Sequence, residues 1–229
     1  MMWLKFLMMN FYYQIERFVI EVAEKYDKKG KKLLDVGAEG SRYKKYFKKV
    51  RYYSQDVEQN EVASIDFVGD LNAGLKGVKA ASFDYILCTQ VLEHLQKPAK
   101  VFEEFNRLLK PGGRLFLTTN FLYQIHMAPN DYYRFTEHGL KYLGESSGFK
   151  VEHLKSQGGV FSVLSYVVTT LPIRLWLKEG SFMYLLYLVV FSPVIIGLNL
   201  LAFSLDRLDN RRQMTINYEV IYRKADVKK

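Results

Sequence analysis

A chain of 229 residues that is 49% apolar and 15% aromatic can bury a full core, which excludes a disordered or low-complexity protein. Its single cysteine, Cys88, excludes an intramolecular disulfide framework and sits in an apolar run, as a small core residue does. The net charge of +9 is uneven: from Lys25 to Arg51 eleven Lys/Arg face three acids, so +8 of it lies in that stretch. Such a basic face suits an anionic membrane surface or a phosphate-bearing partner, and equally a solvated helix.

The apolar start, Met1 to Met9, has one lysine and no small-residue cleavage site, so no cleavable leader is expected. Residues 3–26 read as a helix with a broad apolar face. Lys32-Leu33-Leu34-Asp35-Val36 is a short apolar strand running into Gly37-Ala38-Glu39-Gly40, with Ser41 placed to cap a basic helix through Lys49. Gly37 and Gly40 let the backbone approach a ligand, and Asp35 at the end of a buried strand is costly unless something hydrogen-bonds to it. Arg51 to Val57 is a second strand ending in Asp56, 21 residues past Asp35; an acid at that spacing can accept from both hydroxyls of a nucleotide ribose.

Ile65 to Leu71 is a third strand with Asp70 near its end, and Ser82 to Thr89 a fourth. Gln90 to Leu95 opens a helix, Pro98 starts another through Lys110, and Pro111-Gly112-Gly113 makes a sharp turn before the fifth strand, Arg114 to Asn120. Thr136 caps a helix from Glu137 to Ser147, and Val151 to Ser156 is a sixth strand. Strands alternating with helices imply a parallel sheet covered on both faces, with ligands outside the carboxyl ends of the strands. Asp35, Asp56, Asp70, Thr89 and Asn120 all fall there.

Four segments, in order and spacing, resemble the class I S-adenosylmethionine-dependent methyltransferases of the small-molecule, type 11-like group: Leu34 to Gly40, Asp70-Leu71, Phe83 to Ile86 through Val91 to Leu95, and Leu109 to Gly113. The resemblance covers roughly residues 30–155. It implies an α/β fold, a Rossmann-like doubly wound sheet, mostly parallel with an antiparallel seventh strand. It also implies S-adenosyl-L-methionine as cofactor. Asp35, Gly37, Ala38 and Gly40 would border its methionine part, Asp56 and Val57 its ribose, and Asp70 with Leu71 its adenine. Thr89 and Gln90 would close the site. Glu39 departs from the family, where glycine is frequent. A nicotinamide cofactor is disfavoured, because an acid at Glu39 would repel a pyrophosphate, whereas a sulfonium tolerates acidic surroundings.

The segment His126-Met127-Ala128-Pro129-Asn130-Asp131-Tyr132-Tyr133-Arg134-Phe135-Thr136 resembles H-x-x-P-x-D-Y-x-R-[FY]-T, found in relatives that act on glycans or other envelope components. Methyl transfer to a hydroxyl needs the acceptor held about 3 Å from the methyl carbon and its proton removed. His126 suits the base, Asp131 orients it or binds a sugar hydroxyl, and Arg134 pairs with an acidic group on the acceptor. In the competing reading, Asp131 and Arg134 pair with each other in a structural loop. His94 reads as a helix-start residue, and no metal site is expected. Asn120-Phe121-Leu122-Tyr123 lacks both prolines of the N-P-P-Y motif and follows the wrong strand for it, so no nucleic-acid partner is expected.

Beyond Val160 the chain turns apolar. Val160 to Ile173 is one run and Phe182 to Leu205, 24 residues without a charge, is another, long enough to cross a bilayer. Lys178-Glu179-Gly180-Ser181 lies between them, and Met214 to Tyr222 alternates like the family's seventh strand. A single span would strand that last segment across the membrane from its own sheet. The insert therefore reads as a hydrophobic helical hairpin entering and leaving by one face, re-entrant or in-plane. The expected organisation is an N-terminal helix over 1–28, a methyltransferase core over 29–157, the insert over 158–212 and the final strand and tail over 213–229.

The function expected from all this is a membrane-associated methyltransferase at the cytoplasmic side of the inner membrane, peripheral or monotopic, O-methylating a small-molecule, lipid-linked or glycan acceptor. The alternative is a catalytically inactive methyltransferase-like scaffold assembling through its hairpin. The hairpin would equally serve a homodimer.

Overall fold

The computed structural model describes residues 10–62, 64–178 and 180–226. The expected helix over 3–26 is present as α1, Asn10–Tyr26; residues 1–9 lie outside the described residues. The strands are β1 Lys32–Val36, β2 Arg51–Asp56, β3 Phe67–Val68, β4 Phe83–Thr89, β5 Leu109–Asn120, β6 Phe149–Gln157 and β7 Asn217–Lys224. The helices after α1 are α2 Pro98–Leu108, α3 Glu137–Ser146, α4 Val160–Leu175 and α5 Phe182–Leu205. The strands form one sheet in the order β3-β2-β1-β4-β5-β7-β6, mostly parallel with β7 antiparallel. β1 pairs in parallel with β2 (Asp35 opposite Ser54) and with β4 (Asp35 opposite Leu87). The described residues divide into two compact units, one from Phe18 to Lys155 with the chain from Tyr218, which holds most of the sheet, and one from Ser156 to Asn217 with α1 up to Arg17.

In the sheet unit the central strands carry near-continuous apolar runs, as strands covered on both faces do. Leu33, Leu34, Val36, Ile86, Leu87, Leu115, Phe116 and Leu117 are buried. α2 buries Val101, Phe102, Phe105 and Leu108 at helical spacing, and Pro98 occupies its first turn as read from the sequence. Tyr26 stacks near Phe116 with ring centroids 4.9 Å apart. α3 begins where expected, the Thr136 hydroxyl accepting from Gly139 N–H at 3.1 Å.

Four local expectations are corrected. Residues 41–49 form no α-helix: Ser41 has φ +51°, which cannot start a right-handed helix, and only a single 3-10 turn, Lys44–Tyr46, follows. Gln90 likewise has φ +57°, and the stretch after β4 is a 3-10 turn at Leu92–His94 rather than a helix. Pro111-Gly112-Gly113 does not end one element before another. It is a bulge inside a long β5, where the register jumps from Phe83 opposite Leu109 to Tyr85 opposite Arg114, with Gly112 at φ +71°. The third strand shrinks to Phe67–Val68, because Asp66 turns its carboxylate to Ser54 N–H at 2.8 Å, and Asp70 caps the turn that follows.

α3 packs its Gly144 against Tyr222 of β7, whose hydroxyl donates to Leu140 O at 2.9 Å. A Cβ at position 144 would lie 2.3 Å from the buried Tyr222 ring. Alanine gains about 1 kcal/mol of helix propensity over glycine, but overpacking costs about 1–3 kcal/mol. Gly144→Ala is therefore expected to lower the melting temperature by a few degrees, measured by thermal unfolding followed by circular dichroism.

Candidate active site

The glycine turn leaves β1 at the centre of the sheet. Gly37 has φ +64°, and a Cβ there would meet Val91 at 2.4 Å, so only glycine lets the turn pass the segment after β4. At Gly40 a Cβ would meet nothing within 4 Å, so this backbone faces open space. Ala38 N–H donates to Gln55 O at 3.0 Å and Glu39 N–H to the Asp56 carboxylate at 2.8 Å, which ties the turn to the end of β2. The Glu39 side chain itself is exposed.

Asp35 is buried at the foot of this turn and accepts from the Tyr52 hydroxyl. Burial pushes its carboxyl up to about 7, partly offset by the Tyr52 hydrogen bond and the charge of Arg42. Arg42 lies over the Tyr43 ring at 4.7 Å and donates to its hydroxyl at 2.5 Å. Asp56 also accepts from Val57 N–H at 2.7 Å, while Val57 projects outward, 61% exposed. Gly69 N–H donates to Asp56 O at 2.9 Å, which brings Asp70 beside it; Asp70 accepts from Asn72 N–H at 2.8 Å and Leu71 is buried. Thr89 ends β4 opposite Thr118, and the Gln90 side chain donates to Thr118 Oγ1 at 3.1 Å. The cofactor residues read from the sequence thus collect at the carboxyl edge of β1, β2, β3 and β4. Their acids and the open backbone at Gly40 fit a cationic, phosphate-free ligand.

A second group adjoins Val91. Glu93 is wholly buried, accepting from Thr119 Oγ1 and Asn120 Nδ2, both at 2.8 Å, and burial raises its carboxyl. It braces the ends of β4 and β5. The loop after β5 is sewn onto it: Tyr132 N–H donates to Glu93 O at 2.9 Å, Tyr133 Oη to Gln96 O at 3.0 Å, and His94 Nδ1 meets Asn130 O at 2.5 Å. The His94 and His126 rings lie edge to face, 4.7 Å between centroids. Among the described residues Glu93, His94 and His126 bring one ligand atom each within 4.8 Å of one another, a grouping the sequence reading did not foresee.

Asp131 holds His126 from two sides, accepting from its backbone N–H at 2.9 Å and facing its Nδ1 at 3.2 Å. Arg134 grips the same carboxylate through two nitrogens at 2.6 and 2.7 Å and holds Asp131 well below the usual carboxylate range. Its remaining N–H groups go to the carbonyls of Tyr123, Gln124 and Tyr133. All five donors are thus engaged within the loop, whose path Arg134 holds. Burial lowers the His126 pKa, so the imidazole is neutral at pH 7. With Nδ1 turned to Asp131, Nε2 carries the lone pair.

Sequence reasoning did not reach Tyr52 or Thr119. Tyr52 meets Asp35 diagonally across a strand pair, which needs the register, and the Glu93 brace needs the burial.

The chain matches the family described as "Methyltransferase domain" over residues 9–154. It belongs to the class I S-adenosylmethionine-dependent methyltransferases. Among solved structures this methyltransferase is similar to 1,6-didemethyltoxoflavin-N1-methyltransferase of Burkholderia thailandensis, held with S-adenosylhomocysteine: 16% identity, TM-score 0.58, covering 93% of this chain and 79% of that one. It is equally similar to the [4+2]-cyclase SpnF: 17% identity, TM-score 0.59, 92% and 82%. Those likenesses show the methyltransferase fold. Curated relatives include ubiquinone biosynthesis O-methyltransferases. That of Acinetobacter baylyi is 32% identical over 63 residues, 28% of this chain and 26% of that one. That of Xanthomonas oryzae pv. oryzae is 44% identical over 45 residues, 20% and 19%. The methyltransferase therefore spans about a fifth to a quarter of the length of these relatives in the match.

Because the folded carboxyl of Asp35 binds its proton more tightly than the unfolded one, protonation favours the fold. The ligand-free protein is expected to lose stability as pH rises from about 4 to about 7, where Asp35 must ionise in its buried place. Melting temperatures across that range, compared with Asp35→Asn, check this: the variant's profile should be flatter.

Proposed function

We propose that the protein transfers a methyl group from S-adenosylmethionine to a hydroxyl on a lipid-linked, glycan or other envelope-related acceptor, at a membrane to which its apolar insert holds it. The observation that carries the reading is the neutral His126, clamped by the Asp131–Arg134 pair and joined through His94, Glu93 and Val91 to the glycine turn. Asp56 and Asp70 would hold the ribose and adenine ends of the cofactor, and Gly37, Ala38 and Gly40 its methionine end. Asp35 borders that end with Arg42 nearby. When bound, the cofactor supplies an electrophilic methyl group on a cationic sulfur. His126 Nε2 would take the proton of the acceptor hydroxyl as that oxygen is methylated. The resulting imidazolium is stabilised by Asp131. That the curated relatives are O-methyltransferases favours oxygen as the methylated atom.

The apolar insert favours a membrane-borne acceptor. α5 is a candidate span that is only 17% buried in its most apolar stretch, which distinguishes it from the core helix of a globular protein. The basic run from Lys25 to Arg51 suits anionic headgroups.

Equilibrium binding of S-adenosylmethionine to the purified protein tests the cofactor, and Asp56→Ala should weaken it about tenfold or more. Folded protein with no affinity would overturn the enzymatic reading in favour of a scaffold. With labelled methyl donor and envelope lipid or glycan extracts, His126→Ala should lower kcat by about 10²–10⁴-fold with cofactor binding intact. The wild-type rate should fall on the acid side as His126 protonates, at a pH below that at which an ordinary histidine does.

A further inference from the structure

The unit formed by α4 and α5 has two polar ends and an apolar middle. At its base, the α5 end closes the start of α4: Asp206 accepts from the N–H groups of Gly159, Phe161 and Ser162 at 2.8–3.2 Å, and Asp209 from Val160 N–H at 2.9 Å. The free donors of the α4 N-terminus are thereby met by two carboxylates, and Val160 and Leu205 are held at one level. Arg207 and Arg211 flank that base, exposed. At the other end, Arg174 and Lys178 are exposed beside Trp176, 75% exposed.

Between these ends the polar groups are met inside the hairpin. Ser165 Oγ donates to Asn199 Oδ1 and Tyr187 Oη to Thr169 O, both at 2.8 Å, linking the two helices. Pro193 has no N–H for the carbonyl four residues earlier, that of Val189, and Ser192 Oγ takes it at 2.9 Å. These are the devices a helix needs where water cannot reach the backbone. Leu185, Val189, Val190, Phe191, Val194 and Leu201 are nevertheless more than two-fifths exposed.

An in-plane interfacial helix needs one polar face toward water. α5 has none: its apolar side chains point all round, and its polar ones are turned inward or back onto the backbone. Its 24 residues measure about 36 Å, against a hydrocarbon thickness of about 30 Å. α4 is shorter, 16 residues or about 24 Å with Arg174 in its last turn, so its crossing needs Trp176 and Leu177 and a snorkelling Arg174 to reach the far headgroups. Two crossings return the chain to its starting side, as β7 requires to pair between β5 and β6.

We propose that α4 and α5 cross a lipid bilayer together as a two-helix spanning hairpin, with residues 176–181 on the side opposite the methyltransferase sheet. This rests on the membrane reading above and replaces its in-plane or re-entrant arrangement. The cleft of about 500 Å³ between the helices, lined by residues such as Val168, Pro172, Leu186 and Val190, is then occupied by lipid chains.

The full chain in sealed bacterial membrane vesicles of both orientations tests this. Cys88 is wholly buried and contributes no background label. Lys178→Cys and, on the sheet side, Lys100→Cys are treated with a membrane-impermeant maleimide. Opposite accessibility, each variant labelled in only one orientation and by at least tenfold over the other, is the expected result. Labelling of both from the same face, with the protein resisting carbonate extraction, overturns the spanning arrangement and leaves membrane association standing. Recovery of both variants in the soluble fraction as dimers overturns the membrane reading itself and gives the hairpin to a second copy of the chain. Retained binding of S-adenosylmethionine shows that each variant is folded.

Discussion

A carboxylate taken out of water must find donors or give up its charge, and that constraint arranges the sheet edge of this protein. Asp84, at the start of β4, draws Lys31, Lys110 and the backbone of Lys32 around it. Glu93 does the same at the far end of that strand, drawing Thr119 and Asn120 from β5. Asp56 gathers the glycine turn. Each acid joins segments distant in the chain, Asp84 at the amino edge of the sheet and Glu93 and Asp56 at the carboxyl edge, so the site's edge is shaped by what its acids need before any ligand is considered. Asp35 is the exception. It has one hydroxyl partner, keeps its proton near neutrality, and is therefore the acid whose charge a cationic ligand can still change.

The loop after β5 follows the same logic with a different partner. Asp131 is fully neutralised by Arg134, and its spare capacity holds His126. Burial, not the carboxylate, dominates the imidazole and keeps it neutral. A protonated His126 would be held by Asp131 too, but desolvation outweighs that attraction, which is the balance a general base requires.

Much of this was legible in the chain. Strand order along the sequence, the capping Thr136, the Pro98 helix start and the placing of Asp35, Asp56 and Asp70 near strand ends all follow from local chemistry and period. What failed was helix against turn after the glycine loop and after β4, where Ser41 and Gln90 adopt left-handed φ values that their residue types do not announce. The role of Arg134 was also invisible. Its side chain has as many donors as the loop has free acceptors, and only the loop's path shows that they meet. The apolar insert was plain from composition. Its internal satisfaction, Ser165 to Asn199 and Ser192 to Val189, was not.

The position of β7 has a bearing on how the protein is made. It lies between β5 and β6, yet it follows the whole hairpin in the chain and is made after it. Until then the sheet has a slot with open hydrogen-bonding edges on two strands, and Phe102 and Phe149 lack the Tyr222 ring that packs on them. A nascent chain therefore cannot complete its catalytic half by folding in order of synthesis. The sheet therefore closes only once the hairpin has been made, and the aromatic packing of Phe102 and Phe149 is complete no earlier.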